Sequence, residues 1–479
     1  MLTIDFSSRG TSSLTKHLYN HIKIMIQQRK LLPNEKLPSK RTLACHLGIS
    51  VITVKNAYEQ LICEGYIYSA EKKGYFVTPL EPKVTQKTQP LTYDSTCKEE
   101  LENTVPEVKI NLKGNAICPE QFPFSLWASL LRKSLQESKE KLLSPLPPQG
   151  IIELRKAICR HLNRFRNMDI KSHQIVIGAG TEYLYSLIVQ LLGRNLNYGV
   201  ENPGHTKTYS IFKANGAPCI PLFLDGSGVE KKTLEQNNID VVHLSPAHHF
   251  PTGIIMPIKR RLELLAWAKE KDNRFIIEDD YDSEFRFSGP PLETLFSMAD
   301  SQKVIYLNTF TKTIAPSLRI SYMVLPLNLL EKFNQQLGFY SCTVSSIEQM
   351  TLARFIDEGY YEKHLIRMKN YYRNLRNSLT TELNKFSINQ DMSVLEKDAG
   401  LHFLLKVKTE KTDIQLAEFY RTQGLLVAFL SEYFQNFTQQ KLNKKENGVM
   451  VINYSSLKKE QIAEAVQILH LPLSAKQEI

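Results

Sequence analysis

A lysine in a hydroxyl-rich segment, Lys312, is the residue of this 479-residue chain that is best suited to covalent chemistry. It follows an apolar run, residues 304–307, that is typical of a buried strand. Its amine can condense with an aldehyde, while the hydroxyls of Thr309 and Thr311 and the guanidinium of Arg319 can hold a phosphate. Pyridoxal phosphate carries both groups on one small molecule, so the segment predicts a site for this cofactor.

A second apolar run, residues 275–277, ends in the acidic segment EDDYD at residues 278–282. Carboxylates at the end of a buried strand are costly unless a cation meets them. A pyridinium nitrogen is such a cation, and Asp279 opposite it would keep the ring an electron sink. Tyr281 falls on the same side of an extended chain as Asp279, where it can reach the ring hydroxyl. Alone, this segment also fits a surface turn or a metal site, and Lys312 alone also fits a solvated loop; together the two segments favour the cofactor.

The segments EDDYDSEF and TFTKTIAPSLRISYMVLP resemble those of fold-type-I aminotransferases, specifically the MocR/GabR regulators. That resemblance covers nearly the whole chain. It implies an α/β fold in which an N-terminal GntR-type winged helix-turn-helix is joined by a linker to a fold-type-I aminotransferase-like domain that depends on pyridoxal phosphate. It also implies a Schiff base on Lys312, with Asp279 on the ring nitrogen and Tyr281 on the ring oxygen.

Residues 39–77 predict a helix-turn-helix followed by a two-stranded wing. Ser39 and Ser50 are candidate N-caps of two short helices, and Gly48 is a candidate stop between them. The segment PSKRTLACHLGISVITVKNAYEQLICEGYIYS is similar to the GntR signature, although a small helical oligomerisation domain is the alternative. Many GntR members carry Arg where Val51 stands, so we expect other contacts or DNA shape to read the operator.

The second of these helices would enter the major groove of double-stranded DNA. We expect contacts to base edges from Thr53, Lys55 and Asn56. We expect contacts to phosphates from Ser39, Lys40, Arg41, Lys72 and Lys73.

Three further segments have positions that fit the cofactor. Gly180 and Thr181, at a strand-to-helix turn, predict backbone amides for the phosphate, although tight turns alone produce such a sequence. His205 is expected to stack on the pyridine ring; a general base and an ordinary loop histidine are the alternatives. His248 and His249 belong to a loop that resembles the one framing the cofactor oxygen, and no metal site is expected there because adjacent residues of an extended chain point apart.

The composition is that of an ordinary globular protein, 42% hydrophobic and 23% charged. No apolar run reaches the length of about 18 residues that predicts a membrane span. Seven scattered cysteines and the lack of a secretory signal predict reduced thiols and a cytoplasmic protein. The net charge is +11, of which residues 1–80 carry roughly +6, compatible with DNA binding.

We expect a DNA-binding domain at 1–78, a linker at 79–107, a large cofactor-binding domain at 108–385 and a small C-terminal domain at 386–479.

These patterns predict a DNA-binding transcriptional regulator that depends on pyridoxal phosphate. An amine or amino-acid effector would form an external aldimine at the expense of Lys312 and alter promoter binding. The alternative is an active aminotransferase with a fused DNA-binding domain; we expect no physiological turnover beyond residual activity. The resemblance also implies a homodimer on repeated half-sites.

The effector is expected to differ from γ-aminobutyrate, the effector known for one branch of the family. Aminotransferase-like domains that take amino acids usually hold the carboxylate with an arginine from the small domain. Arg421 is the last arginine of this chain, so the later strand offers none. Lys207 is a candidate substitute, although a solvated lysine is the simpler interpretation.

Overall fold

A computed structural model describes residues 4, 6, 12–79, 108–114, 116–299, 302–386, 392–395, 400–435 and 447–474. The chain divides into two compact units, residues 1–103 and 104–479. Most of the expected linker, residues 80–107, lies outside the described residues. Of the helices in the described ranges, none has the length and apolar character needed to cross a membrane.

The first unit packs helices and a three-stranded sheet around one apolar core. Its elements are α1 (Leu14–Gln27), β1 (Lys36–Leu37), α2 (Lys40–Leu47), α3 (Val51–Cys63), β2 (Ile67–Ala70) and β3 (Gly74–Val77). The side chains of Ser39 and Ser50 cap α2 and α3 by accepting from amides three residues on, and Gly48 ends α2 at a φ of 66°. The predicted winged helix-turn-helix is thus confirmed.

The second unit begins with short pieces and then alternates strands and helices. Its first part contains β4 (Ile110–Asn111), α4 (Phe124–Glu137), α5 (Lys139–Leu142), α6 (Ile152–Phe165), β5 (Ile175–Ala179), α7 (Thr181–Leu192), β6 (Tyr198–Asn202), α8 (Thr206–Ala214), β7 (Cys219–Asp225), β8 (Gly228–Val229), α9 (Lys231–Gln236), β9 (Val241–Leu244), α10 (Ile258–Lys269), β10 (Phe275–Asp279), α11 (Leu295–Met298), β11 (Val304–Thr309) and β12 (Ile320–Val324). The later part contains α12 (Leu327–Leu337), α13 (Ser346–Asp357), α14 (Tyr360–Phe386), β13 (Met392–Leu395), β14 (His402–Val407), α15 (Asp413–Thr422), β15 (Leu425–Leu426), β16 (Ala428–Phe429), β17 (Val449–Asn453) and α16 (Ile462–Ser474).

Eight strands form the central sheet, in the order β5-β12-β11-β10-β9-β6-β7-β8. Successive residues of its strands enter different cores: Ile276 belongs to one buried cluster and Ile277 to the other. A sheet that is buried on both faces by helices is typical of α/β folds, and the predicted fold class is confirmed. A smaller four-stranded sheet, β13-β14-β17-β16, shares a third core with α14, α15 and α16.

Strand direction brings the predicted site to one edge of the central sheet. The parallel strands β6, β9, β10 and β11 end there. Because β12 runs antiparallel to β11, it begins at this edge, directly after Arg319. Strand β5 runs antiparallel to β12 and therefore ends at the same edge, just before Gly180. Open α/β sheets bind ligands at such carboxyl ends.

Candidate functional site

A cavity of about 210 Å³ opens at this edge of the sheet. Its lining includes all nine residues predicted to bind the cofactor, namely Gly180, Thr181, His205, Asp279, Tyr281, Thr309, Thr311, Lys312 and Arg319. The structure therefore brings these residues together, while their individual roles stay predictions.

Lys312 lies partly buried in the turn after β11. Burial lowers the pKa of its amine to about 8, and the carboxylate of Asp282 partly opposes this shift. A lowered pKa leaves more neutral amine near neutral pH than an exposed lysine has. Neutral amine is the form that attacks a carbonyl, so the environment suits covalent chemistry.

Among the described residues, one carboxylate oxygen of Asp279 accepts a hydrogen bond and the other has no hydrogen-bond partner. The hydroxyl of Tyr185 donates to Oδ2 at 2.6 Å, and His243 Nε2 lies 3.5 Å from the same oxygen. Oδ1 is buried, and no hydrogen-bond partner for it is found within the described part of the chain. Because a buried carboxylate oxygen without a partner is costly, Oδ1 is suited to a protonated nitrogen of a ligand in the cavity.

Another part of the cavity lining, here called the anion-binding end, is suited to an anion. Arg319, at a φ of 53°, lies so close to Gly180 that a Cβ there would fall 2.4 Å from Nη2 of the arginine. Gly180 precedes the N-terminus of α7, where backbone amides point outward. The hydroxyls of Thr309 and Thr311 are 2.7 Å apart. Guanidinium, helix amides and hydroxyls together suit a phosphate.

Tyr281 is held by a buried group that sequence reasoning missed. Its hydroxyl lies 3.2 Å from Nδ1 of His248, which is also 3.0 Å from a carboxylate oxygen of Asp282. His402 packs against His248 with ring centroids 4.6 Å apart. One potential ligating atom from each of His248, Asp282 and His402 lies within 4.8 Å of the others, close enough to hold a metal ion. His249 faces a different partner, Thr252 Oγ1 at 2.6 Å.

Two other cavity residues, Tyr185 and Glu201, were also missed from the sequence. Tyr185 lies four residues after Thr181, on the same face of α7, so helical spacing contained a signal for it. Glu201 is the fourth residue of the fully buried strand β6, and its carboxylate accepts from the amide of Ser245 at 2.9 Å. No local pattern distinguishes it from a core position.

Comparisons with known proteins divide the chain into the same two parts. Residues 14–77 match the sequence model of the gntR family of bacterial regulatory proteins, and residues 107–469 match that of class I and II aminotransferases. The HTH-type transcriptional regulator YdeL of Bacillus subtilis is 35% identical over 423 residues, which are 88% of this chain and 90% of that protein. The probable rhizopine catabolism regulatory protein MocR of Rhizobium meliloti is 28% identical over 433 residues, 88% of this chain and 87% of that one.

The chain belongs to the MocR-type transcriptional regulators. A crystal structure of Pyrococcus horikoshii kynurenine aminotransferase superposes with a TM-score of 0.66 at 21% identity, covering 81% of this chain and 95% of that one. That likeness shows the fold of the second unit. The protein is thus a DNA-binding regulator with a fused aminotransferase-like domain.

In this MocR-type regulator, the residues predicted to contact DNA differ in their solvent exposure and in the contacts that they already make. Arg41, Lys55, Asn56, Lys72 and Lys73 are exposed. Lys40 is half-buried, with its amine 5.3 Å from the centre of the Tyr75 ring. The hydroxyls of Ser39 and Thr53 take part in the caps of α2 and α3, where they pair with Thr42 and Ser50.

Arg41→Ala is expected to weaken DNA binding by this MocR-type regulator and to lower its salt dependence. An arginine that neutralises one phosphate releases about one counterion, so the slope of log affinity against log salt should fall by about one. Fluorescence anisotropy with a promoter duplex across a salt series measures the slope. Lys171→Ala, at an exposed lysine of the second unit, is the control; equal slopes for the two variants would contradict the expectation.

The unfolding free energy of this MocR-type regulator should fall between pH 4.5 and pH 8 because of Glu201. Burial raises the pKa of its carboxyl to about 8, so the folded state retains a proton that the unfolded state loses from about pH 4.5 upward. The stabilisation is complete below pH 4.5 and is lost as pH rises through 8. Burial raises the pKa values of Glu278 and Glu284 to about 7, which adds to the same trend.

Glu201→Gln should remove its share of that pH dependence, on the order of a few kcal/mol, because glutamine retains an acceptor for the Ser245 amide and carries no titratable proton. Denaturant unfolding at a series of pH values measures the change. Superimposable profiles for wild type and variant would show that Glu201 is ionised in the folded state.

Proposed function

We propose that this regulator binds pyridoxal 5′-phosphate in the cavity and uses it to sense a small amine or amino acid. The observation that carries the proposal is the convergence of three groups on one cavity: Lys312, the anion-binding end at Arg319, and the Oδ1 of Asp279, which has no hydrogen-bond partner among the described residues. These three groups match the carbonyl, the ring nitrogen and the phosphate of the cofactor. When bound, the cofactor supplies a carbonyl that condenses reversibly with amines and a ring that accepts electrons.

Each chain residue has a defined part in this proposal. Arg319, Thr309 and Thr311, together with the helix amides at Thr181, hold the phosphate. Asp279 Oδ1 holds the proton on the ring nitrogen, while Tyr185 fixes the carboxylate through Oδ2. Tyr281 would donate to the ring oxygen, and His205, which also lines the cavity, would stack on the ring.

Lys312 would be the residue that detects the effector. Its neutral amine would hold the cofactor through the carbonyl carbon, with loss of water, and an effector amine would compete for the same atom. Effector binding would therefore release the Lys312 side chain as a free amine. Such a change alters DNA binding only if the effector favours one arrangement of the regulator over another. A homodimer on repeated half-sites remains part of the proposal.

The proposed effector is a compound other than γ-aminobutyrate. Two cations other than Lys312 line the cavity in the described part of the chain, Lys207 and Arg319. Both pair with Glu182, at 3.4 Å and 2.8 Å, and Lys207 has a side chain that is 69% exposed. Neither is positioned as a dedicated clamp for an effector carboxylate once Arg319 holds phosphate.

The test combines cofactor loading with an effector screen. Protein loaded with the cofactor should absorb near about 420 nm, as expected of a lysine-bound cofactor. Amines and amino acids are then screened by thermal shift, and each stabilising compound is tested for its effect on promoter binding. A protein that takes up no cofactor in excess would overturn the proposal, and strong stabilisation by γ-aminobutyrate alone would overturn the effector class. Keto-acid-dependent turnover would favour an active aminotransferase.

A further inference from the structure

The helix α3 presents two apolar side chains to solvent at its N-terminal end. Val51 is 46% exposed and Ile52 is 69% exposed, directly after the cap residue Ser50. Other residues of the helix, among them Val54 and Tyr58, are fully buried in the core of the unit. Exposed β-branched residues at the start of a helix contribute nothing to that core, so their place needs another explanation.

The apolar pair is continuous with the polar residues that follow it. Val51, Ile52, Lys55 and Asn56 are spaced by one, three and four positions and therefore form one exposed stripe along α3. The hydroxyls of Ser50 and Thr53 are paired with each other at 2.8 Å in the helix cap. The stripe thus begins with methyl groups and continues with an ammonium and an amide.

The charge around this stripe identifies the kind of partner. The exposed cations Arg41, Lys72 and Lys73 belong to the same unit, on α2 and on the hairpin of β2 and β3. Apolar side chains on a basic unit suit a nucleic acid better than an apolar protein groove, because the cations meet phosphates. In the major groove, the apolar group on the base edges is the 5-methyl of thymine.

We propose that Val51 and Ile52 read thymine methyl groups in the major groove and that Asn56 reads a neighbouring adenine. An amide can bond the N6 and N7 edge of adenine in a bidentate manner, and aliphatic side chains pack on the thymine methyl. The half-site is therefore A·T-rich where the N-terminus of α3 enters the groove. This assignment of base preference goes beyond the regulatory function and does not depend on the cofactor.

The test removes the methyl groups from the DNA. The full-length chain first selects its sites from a duplex library with a randomised centre, and the enriched duplex is then remade with deoxyuridine in place of individual thymidines. Loss of one contacted methyl should weaken binding about three- to fivefold, the equivalent of one buried methyl group. Thymidines outside the contacted step should tolerate the replacement.

Protein variants identify the side chains that contact the methyls. In Val51→Ala and Ile52→Ala, the affinities for the thymidine and deoxyuridine duplexes should become equal at the corresponding base. Ile24→Ala, at an apolar residue of α1 that is 48% exposed, should retain the wild-type discrimination. The proposal is overturned if no sequence is enriched, if deoxyuridine costs nothing at any position, or if its cost is unchanged in both α3 variants.

Discussion

Lys312→Ala is expected to abolish covalent cofactor binding while leaving DNA binding intact. Under the proposed function, the amine of Lys312 is the attachment point, and burial lowers its pKa to about 8, which leaves more of it neutral than an exposed lysine has. Borohydride treatment should add the mass of the reduced cofactor to wild-type protein and add nothing to the variant. The absorbance near about 420 nm should disappear with it. Binding of a promoter duplex should persist, because α3 and the wing belong to the other unit.

Lys207→Ala is the matched control for this prediction. Lys207 lines the same cavity, but its side chain is 69% exposed and pairs with Glu182 at 3.4 Å. Removing it should leave the borohydride adduct and the absorbance band in place. An adduct that survives in Lys312→Ala would assign the attachment to another group, and an adduct lost equally in both variants would contradict a specific role for Lys312.

Arg166→Ala should destabilise the second unit by about 3–5 kcal/mol, because it leaves a buried charge without its cation. The guanidinium of Arg166 pairs with Asp280, and their side chains are 8% and 1% exposed. Tyr306 also donates to Asp280 at 2.7 Å, but a neutral hydroxyl cannot replace a cation. Chemical denaturation followed by tryptophan fluorescence measures the loss; both tryptophans, Trp127 and Trp267, lie in this unit.

The helix α6, which ends directly before Arg166, provides a control for the ion pair. Arg160 of α6 pairs with Asp357, but its side chain is 60% exposed. Arg160→Ala should cost less than about 1 kcal/mol, as exposed pairs usually do. Adding Asp280→Asn to Arg166→Ala should recover part of the stability, since the uncompensated charge is removed. Equal losses for the two arginine variants would mean that Asp280 is neutral in the folded protein.

The DNA-binding unit could be predicted closely because its signals are local. A capping serine acts on an amide three residues away, and Gly48 adopts a left-handed conformation that ends α2. The alternation of residues 66–77 around a turn likewise predicted the hairpin of β2 and β3. What the sequence did not show is that the hydroxyl of Thr53 would pair with that of Ser50 in the cap of α3.

The sequence predicted the nine cofactor-binding candidates of the cavity lining, but only part of the hydrogen bonds and ion pairs around them. Motifs at the end of β10 and after β11 identified Asp279 and Lys312, because strand ends of a parallel sheet meet at one edge. The partners of the acidic segment lie far away in sequence: Tyr185 is 94 positions from Asp279, and Arg166 is 114 positions from Asp280. No periodic pattern connects such residues. Different partners for the adjacent residues His248 and His249 were foreseeable, because adjacent residues of an extended chain point apart. The contact of His248 with His402 was not foreseeable, because these two residues are far apart in the sequence.

The close approach of Arg319 to Gly180 has a consequence for biosynthesis. The two halves of the anion-binding end are far apart in the chain, since Arg319 and its partner Glu182 are 137 positions apart. A nascent polypeptide that has not yet emerged beyond position 319 therefore has only half of the phosphate cradle. On the proposed function, pyridoxal phosphate therefore binds only late in translation. Truncated chains that end before position 319 would not show the absorbance of the bound cofactor.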